Sequence, residues 1–310
     1  MEKLNQNILP KLIVVLGPTA VGKSDMAVQI ALALKGHAEI ISADSRQVYT
    51  GLDIGAGKIT KKEMLGVPHF GLDIVSPKRR VQFSVAEFQT YTDKVIGEIQ
   101  SRGNIPILCG GTGFYIDAIV DGIVLPEVKT DLKLRKELET YDTEKLIKIL
   151  SKLDKNRLEQ IDINNRVRLI RSIEIAKTLG KVPAIVKKVR FNTLLIGLDM
   201  DKEELMNKVH TRAMKRLKQG MINEAKELRA DGVTWKRMKQ FGLEYGLLAE
   251  FLQNKLTREQ FIDRLLIETW KYAKRQKTWF QRREDIQWFD PSKKGTLNKI
   301  LKTVKDFIKN

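Results

Sequence analysis

The chain has 310 residues, a net charge of +18 and a hydrophobic content of 42%. This length favours two domains over one, and this hydrophobic content is sufficient for packed cores, which excludes a chain that is disordered throughout. No apolar run reaches the roughly 18 residues of a membrane span, residues 1–16 lack the pattern of a secretory signal, and the single cysteine excludes an internal disulfide. We therefore expect a cytoplasmic protein without a membrane partner.

The positive charge is concentrated in the second part of the chain. Residues 1–125 contain 13 Lys and Arg against 12 Asp and Glu, whereas residues 126–310 contain 43 against 26. A small anionic substrate needs only a few local cations, but a polyanion is attracted by a broad basic surface. We therefore expect a nucleic acid as partner; the alternative is a basic surface that only keeps the protein in solution.

The first predicted elements are short apolar strands that alternate with helices. Leu12–Leu16 is a continuous apolar run, typical of a strand buried on both faces of a parallel sheet. A helix is predicted from Lys23 to about Leu34, and further strands over Glu39–Ser42 and Ile105–Cys109. This alternation predicts a doubly wound α/β fold with a parallel sheet, whose ligand sites lie at the carboxyl ends of the strands.

Beyond residue 125 the pattern changes to charged helices. Helices are predicted over Asp131–Glu139, Thr143–Leu153 and Arg166–Leu179. Phe191–Leu198 is predicted to be a strand that returns to the sheet, and nearly everything after Asp201 is predicted to be helical.

Three segments follow from this order of elements. Residues 1–125 form the first part of the α/β core, residues 126–190 a helical insertion, and residues 191–310 the returning strand and the C-terminal helices that complete the core. The chain shows no heptad repeat, so we expect a monomer.

Between the first predicted strand and the first predicted helix, the chain fits the pattern G-x-x-x-x-G-K-[ST]. The residues of this loop are Gly17, Pro18, Thr19, Ala20, Val21, Gly22, Lys23 and Ser24. In such a P-loop, backbone N–H groups and the N-terminus of the following helix bind phosphate oxygens, the Lys adds a positive charge, and the Ser hydroxyl can ligate Mg²⁺. We therefore predict that residues 17–24 bind a phosphate group, with Ser24 as a magnesium ligand.

The identity of the phosphate compound is open at this point. Most such loops bind ATP or GTP, and P-loop NTPases normally also have an apolar strand that ends in a Mg²⁺-binding Asp. The strand Ile105–Cys109 is followed instead by Gly110–Gly113, without an acid. This argues against a motor or switch NTPase and leaves a small-molecule kinase as an alternative.

A carboxylate follows the second predicted strand. Asp44 comes about twenty residues after Lys23, where a doubly wound sheet places an acceptor opposite the phosphates. There it can take a proton from an attacking hydroxyl or amine, a contribution typically worth roughly 10²–10⁴-fold in rate. The alternative is a structural Asp that caps the next turn or pairs with Arg46.

Several segments occur together in a particular order. They are Gly17–Ser24, Ile41–Tyr49 (ISADSRQVY), Gly110–Tyr115 (GGTGFY), Asn164–Arg171 (NNRVRLIR) and Ala273–Phe280 (AKRQKTWF). In this combination the chain resembles the bacterial tRNA dimethylallyltransferases, or tRNA isopentenyltransferases, over nearly its whole length.

The resemblance implies the transfer of the dimethylallyl group of dimethylallyl diphosphate to N6 of adenine 37, next to the anticodon of tRNA. The loop then holds the diphosphate of the donor rather than ATP. Thr19, Lys23 and Ser24 with Mg²⁺ would stabilise the departing diphosphate, and Arg212 would add a second cation. Asp44 matches the family's general base, so that Thr19, Asp44 and Arg212 are the expected catalytic residues.

The resemblance also implies a tRNA-binding surface that includes the helical insertion. The residues that match the family's tRNA contacts are Asp44, Ser45, Arg46, Gln47, Thr112, Arg135, Val167, Arg168, Leu169, Ile170 and Arg171. Adenine 37 must leave the stack of the anticodon loop at a cost of a few kcal/mol. Phosphate contacts and stacking would offset this cost, and the basic excess of residues 126–310 fits that role.

Three other functions remain open. A small-molecule kinase would use ATP in the loop and Asp44 as a base toward a hydroxyl group. An RNA-binding module would use the loop as a regulatory nucleotide sensor. A prenyltransferase that acts on free adenine nucleotides would share the chemistry without needing the large basic surface. Cys109 ends an apolar strand, which favours a packing role over a nucleophile.

Overall fold

The computed structural model describes residues 9–309. The expectation that the chain has no secretory signal falls partly on residues 1–8, outside the described residues. The chain forms two compact units: one consists of Ile123–Lys188, and the other combines the segments on either side of it. Among the residues described, no helix has the length and apolar character to cross a membrane.

Most strands belong to one parallel sheet in the larger unit. In residues 9–309 the strands are β1 (Lys11–Leu16), β2 (Ala38–Ala43), β3 (His69–Phe70), β4 (Ile105–Gly110), β5 (Ile123–Val124), β6 (Val186–Lys187), β7 (Asn192–Leu198) and β8 (Ile286–Phe289). The sheet has the order β3-β2-β4-β1-β7-β8, and each neighbouring pair is parallel. The predicted α/β fold with a parallel sheet is confirmed.

The helices are distributed over both units. In chain order, over the same residues, they are α1 (Lys23–Ala33), α2 (Lys61–Met64), α3 (Val85–Ser101), α4 (Gly113–Val120), α5 (Leu132–Glu139), α6 (Thr143–Leu153), α7 (Lys155–Gln160), α8 (Arg166–Leu179), α9 (Lys202–Lys218), α10 (Met221–Ala230), α11 (Trp235–Phe241), α12 (Leu243–Leu252), α13 (Arg258–Phe280) and α14 (Thr296–Lys309). The sequence did not predict α2, α3, α4, α7, β3, β5, β6 or β8. Because β3 and β8 are short strands at the two edges of the sheet, they leave little periodic signal.

The central strand β1 is buried on both of its faces. Ile13 and Val15 pack on one side in a core with residues of α1 and α14. Leu12 and Val14 pack on the other side with residues of α3 and α4. Since both faces are covered by helices, the strand has no polar alternation, as the sequence indicated. The sheet is doubly wound.

The C-terminal helices form a further core against the segment that follows β2. Val48 and Leu52 of that segment are fully buried and pack with residues of α10, α12 and α13, among them Met221, Tyr245 and Phe261. This packing places the C-terminal helices beside the turn that contains Asp44, although they are far from it in sequence.

The smaller unit has a core of its own. Helices α5–α8 and the antiparallel pair β5–β6 make up this unit. Leu138, Leu146, Leu150, Leu169 and Ile173 form the centre of its core. α6 and α8 have the bounds that the sequence predicted.

Candidate active site

Strands β1, β2 and β4 end at the same edge of the sheet. Leu16 pairs with Gly110, and Gly110 pairs with Ala43. The segments that follow these strands, which contain the predicted phosphate loop, Asp44 and Thr112, therefore leave the sheet side by side. Open α/β sheets bind their ligands at this carboxyl edge.

The loop between β1 and α1 requires glycine at two positions. Gly17 has a φ of 144°, and a Cβ atom there would lie 2.3 Å from the carbonyl oxygen of Leu198. Gly22 has a φ of 98° immediately before α1. These backbone conformations are costly for other residues. The two glycines of the predicted motif are thus explained by the conformation of the loop itself.

Lys23 begins α1 and is half-buried at the base of the loop. Its ammonium group donates a hydrogen bond to the carbonyl oxygen of Pro18 at 2.7 Å. Burial lowers the pKa of Lys23 to about 8, and the charge of Arg212 acts in the same direction. At neutral pH the amine remains mostly protonated, so the loop contains a cation next to exposed backbone.

Arg212 reaches the same loop from α9. Its guanidinium donates a hydrogen bond to Oγ1 of Thr19 at 3.0 Å. Burial and the charge of Arg216 lower the pKa of Arg212 to about 10, which leaves it protonated at neutral pH. Arg216, one turn further along α9, pairs with Glu244 at 3.3 Å, whereas Arg212 lines an open cleft, where its charge is available to an incoming anion.

Asp44 follows β2 directly and is half-buried. Its Oδ1 atom accepts hydrogen bonds from the backbone N–H groups of Arg46 at 2.8 Å and Gln47 at 3.3 Å. The capping role that the sequence left open therefore occurs. It does not remove the carboxylate from the site, because Asp44, Lys23 and Arg212 line one open cleft of about 1020 Å³.

Ser24 is exposed and lines the same cleft. Across residues 9–309 no group of three or more His, Cys, Asp or Glu side chains could hold a metal ion. Mg²⁺, however, commonly keeps several waters and takes other ligands from substrate phosphates. The position of Ser24 fits a metal that is bound together with a phosphate compound rather than by the protein alone.

The predicted tRNA-contact residues next to Asp44 already form hydrogen bonds or ring contacts within the protein. The backbone N–H of Ser45 donates to Oγ1 of Thr112 at 3.1 Å, which joins two of the predicted residues. The guanidinium of Arg46 lies over the ring of Tyr272 at 5.1 Å. The side chain of Gln47 donates to a backbone carbonyl of the neighbouring loop at 3.2 Å. Arg46 and Gln47 also line the cleft.

The predicted tRNA contacts on α8 fall on different faces of that helix. Val167 is 77% exposed and Arg168 is also exposed, whereas Leu169 and Ile170 are buried in the core of the smaller unit. Because each residue of a helix is rotated by about 100° from the previous one, the five consecutive residues 167–171 pass around the whole helix and cannot all share one face. The buried side chains of Leu169 and Ile170 are therefore placed for packing rather than for contact with a partner.

Arg135 and Arg171 both bind a buried carboxylate. Glu174 is 1% exposed and accepts two hydrogen bonds from Arg135, at 3.1 and 2.8 Å, and another from Arg171. Burial opposes the charge of Glu174, yet the two guanidinium groups lower the pKa of its carboxyl group. These arginines have a structural function inside the smaller unit that the sequence pattern does not reveal.

Two polar residues of the C-terminal helices contact the site without having been predicted as site residues. Gln276 on α13 accepts a hydrogen bond from the backbone N–H of Thr19 and donates one to the carbonyl oxygen of Gly111, both at 2.8 Å. Glu224 on α10 accepts from three consecutive backbone N–H groups that begin at Asp53. No local pattern marks these residues, because the partners of Gln276 are 257 and 165 positions away.

The parallel sheet and the cleft at its carboxyl edge are typical of α/β enzymes. The family model of the IPP transferases matches residues 47–283. The chain belongs to this family, the tRNA dimethylallyltransferases. The matched range begins after the glycine loop and Asp44, but several relatives align over nearly the whole chain.

Relatives of known sequence and structure agree with this assignment. The tRNA dimethylallyltransferase of Halothermothrix orenii is 38% identical over 98% of this chain and 96% of its own length, and that of Halalkalibacterium halodurans is 39% identical over 90% and 91%. The crystal structure of a full-length tRNA isopentenylpyrophosphate transferase from Bacillus halodurans has a TM-score of 0.73 and 36% identity, and the match covers 96% of this chain and 97% of that one. A eukaryotic dimethylallyltransferase studied crystallographically while acting on tRNA has a TM-score of 0.81 and 28% identity over 97% of this chain and 80% of its own.

Proposed function

We propose that this protein transfers the dimethylallyl group of dimethylallyl diphosphate to N6 of adenine 37 in tRNA, with Asp44 as general base. The observation that carries the proposal is that Lys23 and Arg212 line the same cleft as Asp44. A site for the departing anion and a base for the attacking amine are the two requirements of this reaction. The names of the relatives support tRNA as the substrate.

In the proposed reaction the allylic C–O bond breaks and a bond forms between the same carbon and N6 of adenine. The electrons of the C–O bond leave with the diphosphate, whose negative charge therefore grows in the transition state. Lys23 and Arg212 would stabilise that charge more strongly in the transition state than in the ground state, which is the condition for a faster reaction. Thr19, which accepts a hydrogen bond from Arg212, would keep this guanidinium at the loop.

Asp44 would receive the proton that N6 releases. In residues 9–309 its hydrogen bonds engage Oδ1 and leave Oδ2 for a substrate. Because two backbone N–H groups orient the carboxylate, little reorganisation is required when adenine enters. The cost of extruding adenine, about a few kcal/mol, would be offset by contacts elsewhere on the tRNA, for which Arg168 is an exposed candidate in the insertion.

Ser24 is the residue that would hold Mg²⁺, together with oxygens of the diphosphate. When bound, the metal would neutralise part of the charge of the leaving diphosphate. Within the loop, Ala20, Val21 and Gly22 would contribute backbone N–H groups to the same anion, since Pro18 has no N–H and that of Thr19 donates to Gln276.

The direct test uses labelled dimethylallyl diphosphate and Mg²⁺ with either unmodified tRNA or AMP as acceptor. We expect label in tRNA, located by nuclease digestion at position 37, and little label in AMP. Transfer to AMP at an equal rate would indicate an enzyme of free nucleotides. Rapid ATP turnover without any label transfer would contradict the proposal and favour a kinase.

A further inference from the structure

Gln276 connects two segments of the cleft that are far apart in sequence. Its side chain is almost completely buried, with 6% exposure. Oε1 accepts a hydrogen bond from the N–H of Thr19 and Nε2 donates one to the carbonyl oxygen of Gly111, both at 2.8 Å. Since a backbone N–H can only donate and a carbonyl can only accept, the orientation of the amide is fixed by its partners.

Gly111 belongs to a turn that forms hydrogen bonds with the residues on both sides of Asp44. The N–H of Thr112, the next residue, donates to the carbonyl oxygen of Ala43 at 3.2 Å. Oγ1 of Thr112 accepts from the N–H of Ser45 at 3.1 Å. The residues immediately before and after Asp44 are therefore both bonded to Thr112. A displacement of the Gly111–Thr112 turn would move Asp44 with it.

Little space remains in this arrangement. A Cβ atom on Gly111 would lie 2.2 Å from Nε2 of Gln276, and one on Gly110 would lie 2.2 Å from the carbonyl oxygen of Ala43. Real Cβ contacts are not this short, so either substitution would force a neighbour to move. Glycine at these positions lets the phosphate loop, the amide and the Asp44 turn pack directly against one another.

We infer that Gln276 is a positioning residue that fixes the distance between the phosphate loop and Asp44. This inference rests on the proposed prenyl transfer. In that reaction the loop sets the position of the allylic carbon, because it holds the diphosphate, and Asp44 sets the position of the amine. The amide of Gln276, with one donor and one acceptor, joins the loop to the turn beside Asp44. An error of about 1 Å in such a distance can reduce a rate roughly 10²-fold.

The test compares Gln276→Met with Gln281→Met. Methionine has a similar length but forms neither hydrogen bond, whereas Gln281 is exposed at the end of the same helix. For Gln276→Met we expect the single-turnover rate of prenyl transfer, at saturating tRNA and dimethylallyl diphosphate, to fall roughly 10- to 100-fold. The dissociation constants for tRNA and for inorganic diphosphate with Mg²⁺ should change less than about threefold, since Gln276 is not proposed to contact either. Gln281→Met should behave as the wild type.

A merely structural role would give a different pattern. It would lower the amount of folded protein and all activities together, so rates are normalised to the fraction of enzyme that binds tRNA. If Gln276→Met is not recovered in folded form, Gly111→Ala and Gln276→Glu replace it. The first displaces the amide, and the second keeps an acceptor for Thr19 but repels the carbonyl of Gly111. Both should slow the chemical step.

The double variant Gly111→Ala/Gln276→Met adds a test of the contact itself. If Gly111 and Gln276 act through one contact, the transfer rate of the double variant should be higher than the rate expected if the losses in the two single variants were independent. A transfer rate within twofold of the wild type in a folded Gln276→Met enzyme would overturn the inference, and so would a loss fully explained by weaker diphosphate binding. Wild-type enzyme that transfers no prenyl group would instead refute the proposed function.

Discussion

The guanidinium of Arg212 and the hydroxyl of Thr19 form a 3.0 Å hydrogen bond that joins α9 to the glycine loop, across 193 positions in sequence. The bond brings a half-buried cation from the C-terminal helices to the loop that follows the first strand. Gly57 allows this approach, since a Cβ atom there would lie 2.4 Å from a guanidinium nitrogen of Arg212. The positive charge at the cleft therefore comes from Lys23 and Arg212, which lie far apart in the sequence.

Replacing Arg212 should affect the chemical step more than binding. Loss of one group that stabilises developing negative charge costs roughly 10²–10³-fold in kcat, and we expect Arg212→Gln to fall in this range. Arg212→Lys, which keeps a charge but loses the planar donor, should recover part of the loss. Steady-state kinetics with varied dimethylallyl diphosphate separates kcat from KM. Lys218→Gln, on the exposed side of the same helix, is the control. A rise in KM alone would assign Arg212 to ground-state binding.

Asp44→Asn separates the two functions of this carboxylate. The amide oxygen of Asn can still accept the N–H groups of Arg46 and Gln47, so the turn should keep its conformation. The base is lost, and we expect kcat to fall roughly 10²–10⁴-fold while the affinity for tRNA stays within about twofold. The exposed Asp263→Asn serves as the control. Turnover near the wild-type value in Asp44→Asn would leave the carboxylate with its turn-capping role only.

The pKa of Lys23 predicts the pH dependence of donor capture. Burial lowers this pKa to about 8 in the free protein, so the ammonium is lost as the pH rises through 8. We therefore expect kcat/KM for dimethylallyl diphosphate to decline above pH 8. A bound diphosphate stabilises the ammonium and raises its pKa, so kcat should stay constant to a higher pH than kcat/KM does. Lys23→Arg stays protonated and should lack this decline. The same decline in both proteins would mean that another group titrates.

The features that could be predicted from sequence are those determined by near neighbours. β1 was evident because burial on both faces requires a continuous apolar run. The starts of α6 and α8 depend on local residues. Asp142 caps α6 by accepting the N–H of Lys145, and Asn165 caps α8 in the same way. Features that depend on distant partners were not evident. The contacts of Gln276 are of this kind.

Burial also decides what neighbouring arginines do, and sequence alone does not indicate burial. Arg135, Arg168 and Arg171 look alike as basic residues in helical segments. In the structure two of them bind the buried Glu174, and Arg168 is exposed. The smaller unit therefore offers a comparison in which the same substitution has different physical consequences at two sites.

Arg168→Ala and Arg135→Ala should change different properties of the protein. Removing a hydrogen-bonded partner of a buried carboxylate costs about 1–3 kcal/mol, so Arg135→Ala should lower the unfolding free energy measured in urea. Arg168 donates to no buried acid in residues 9–309, and its loss should leave stability within about 0.5 kcal/mol. If Arg168 contacts a tRNA phosphate, its loss should weaken binding and reduce the salt slope of log affinity by about 1. An unchanged slope in Arg168→Ala, together with a reduced slope in a folded Arg135→Ala protein, would reverse the assignment and show that Arg135 leaves Glu174 to bind RNA.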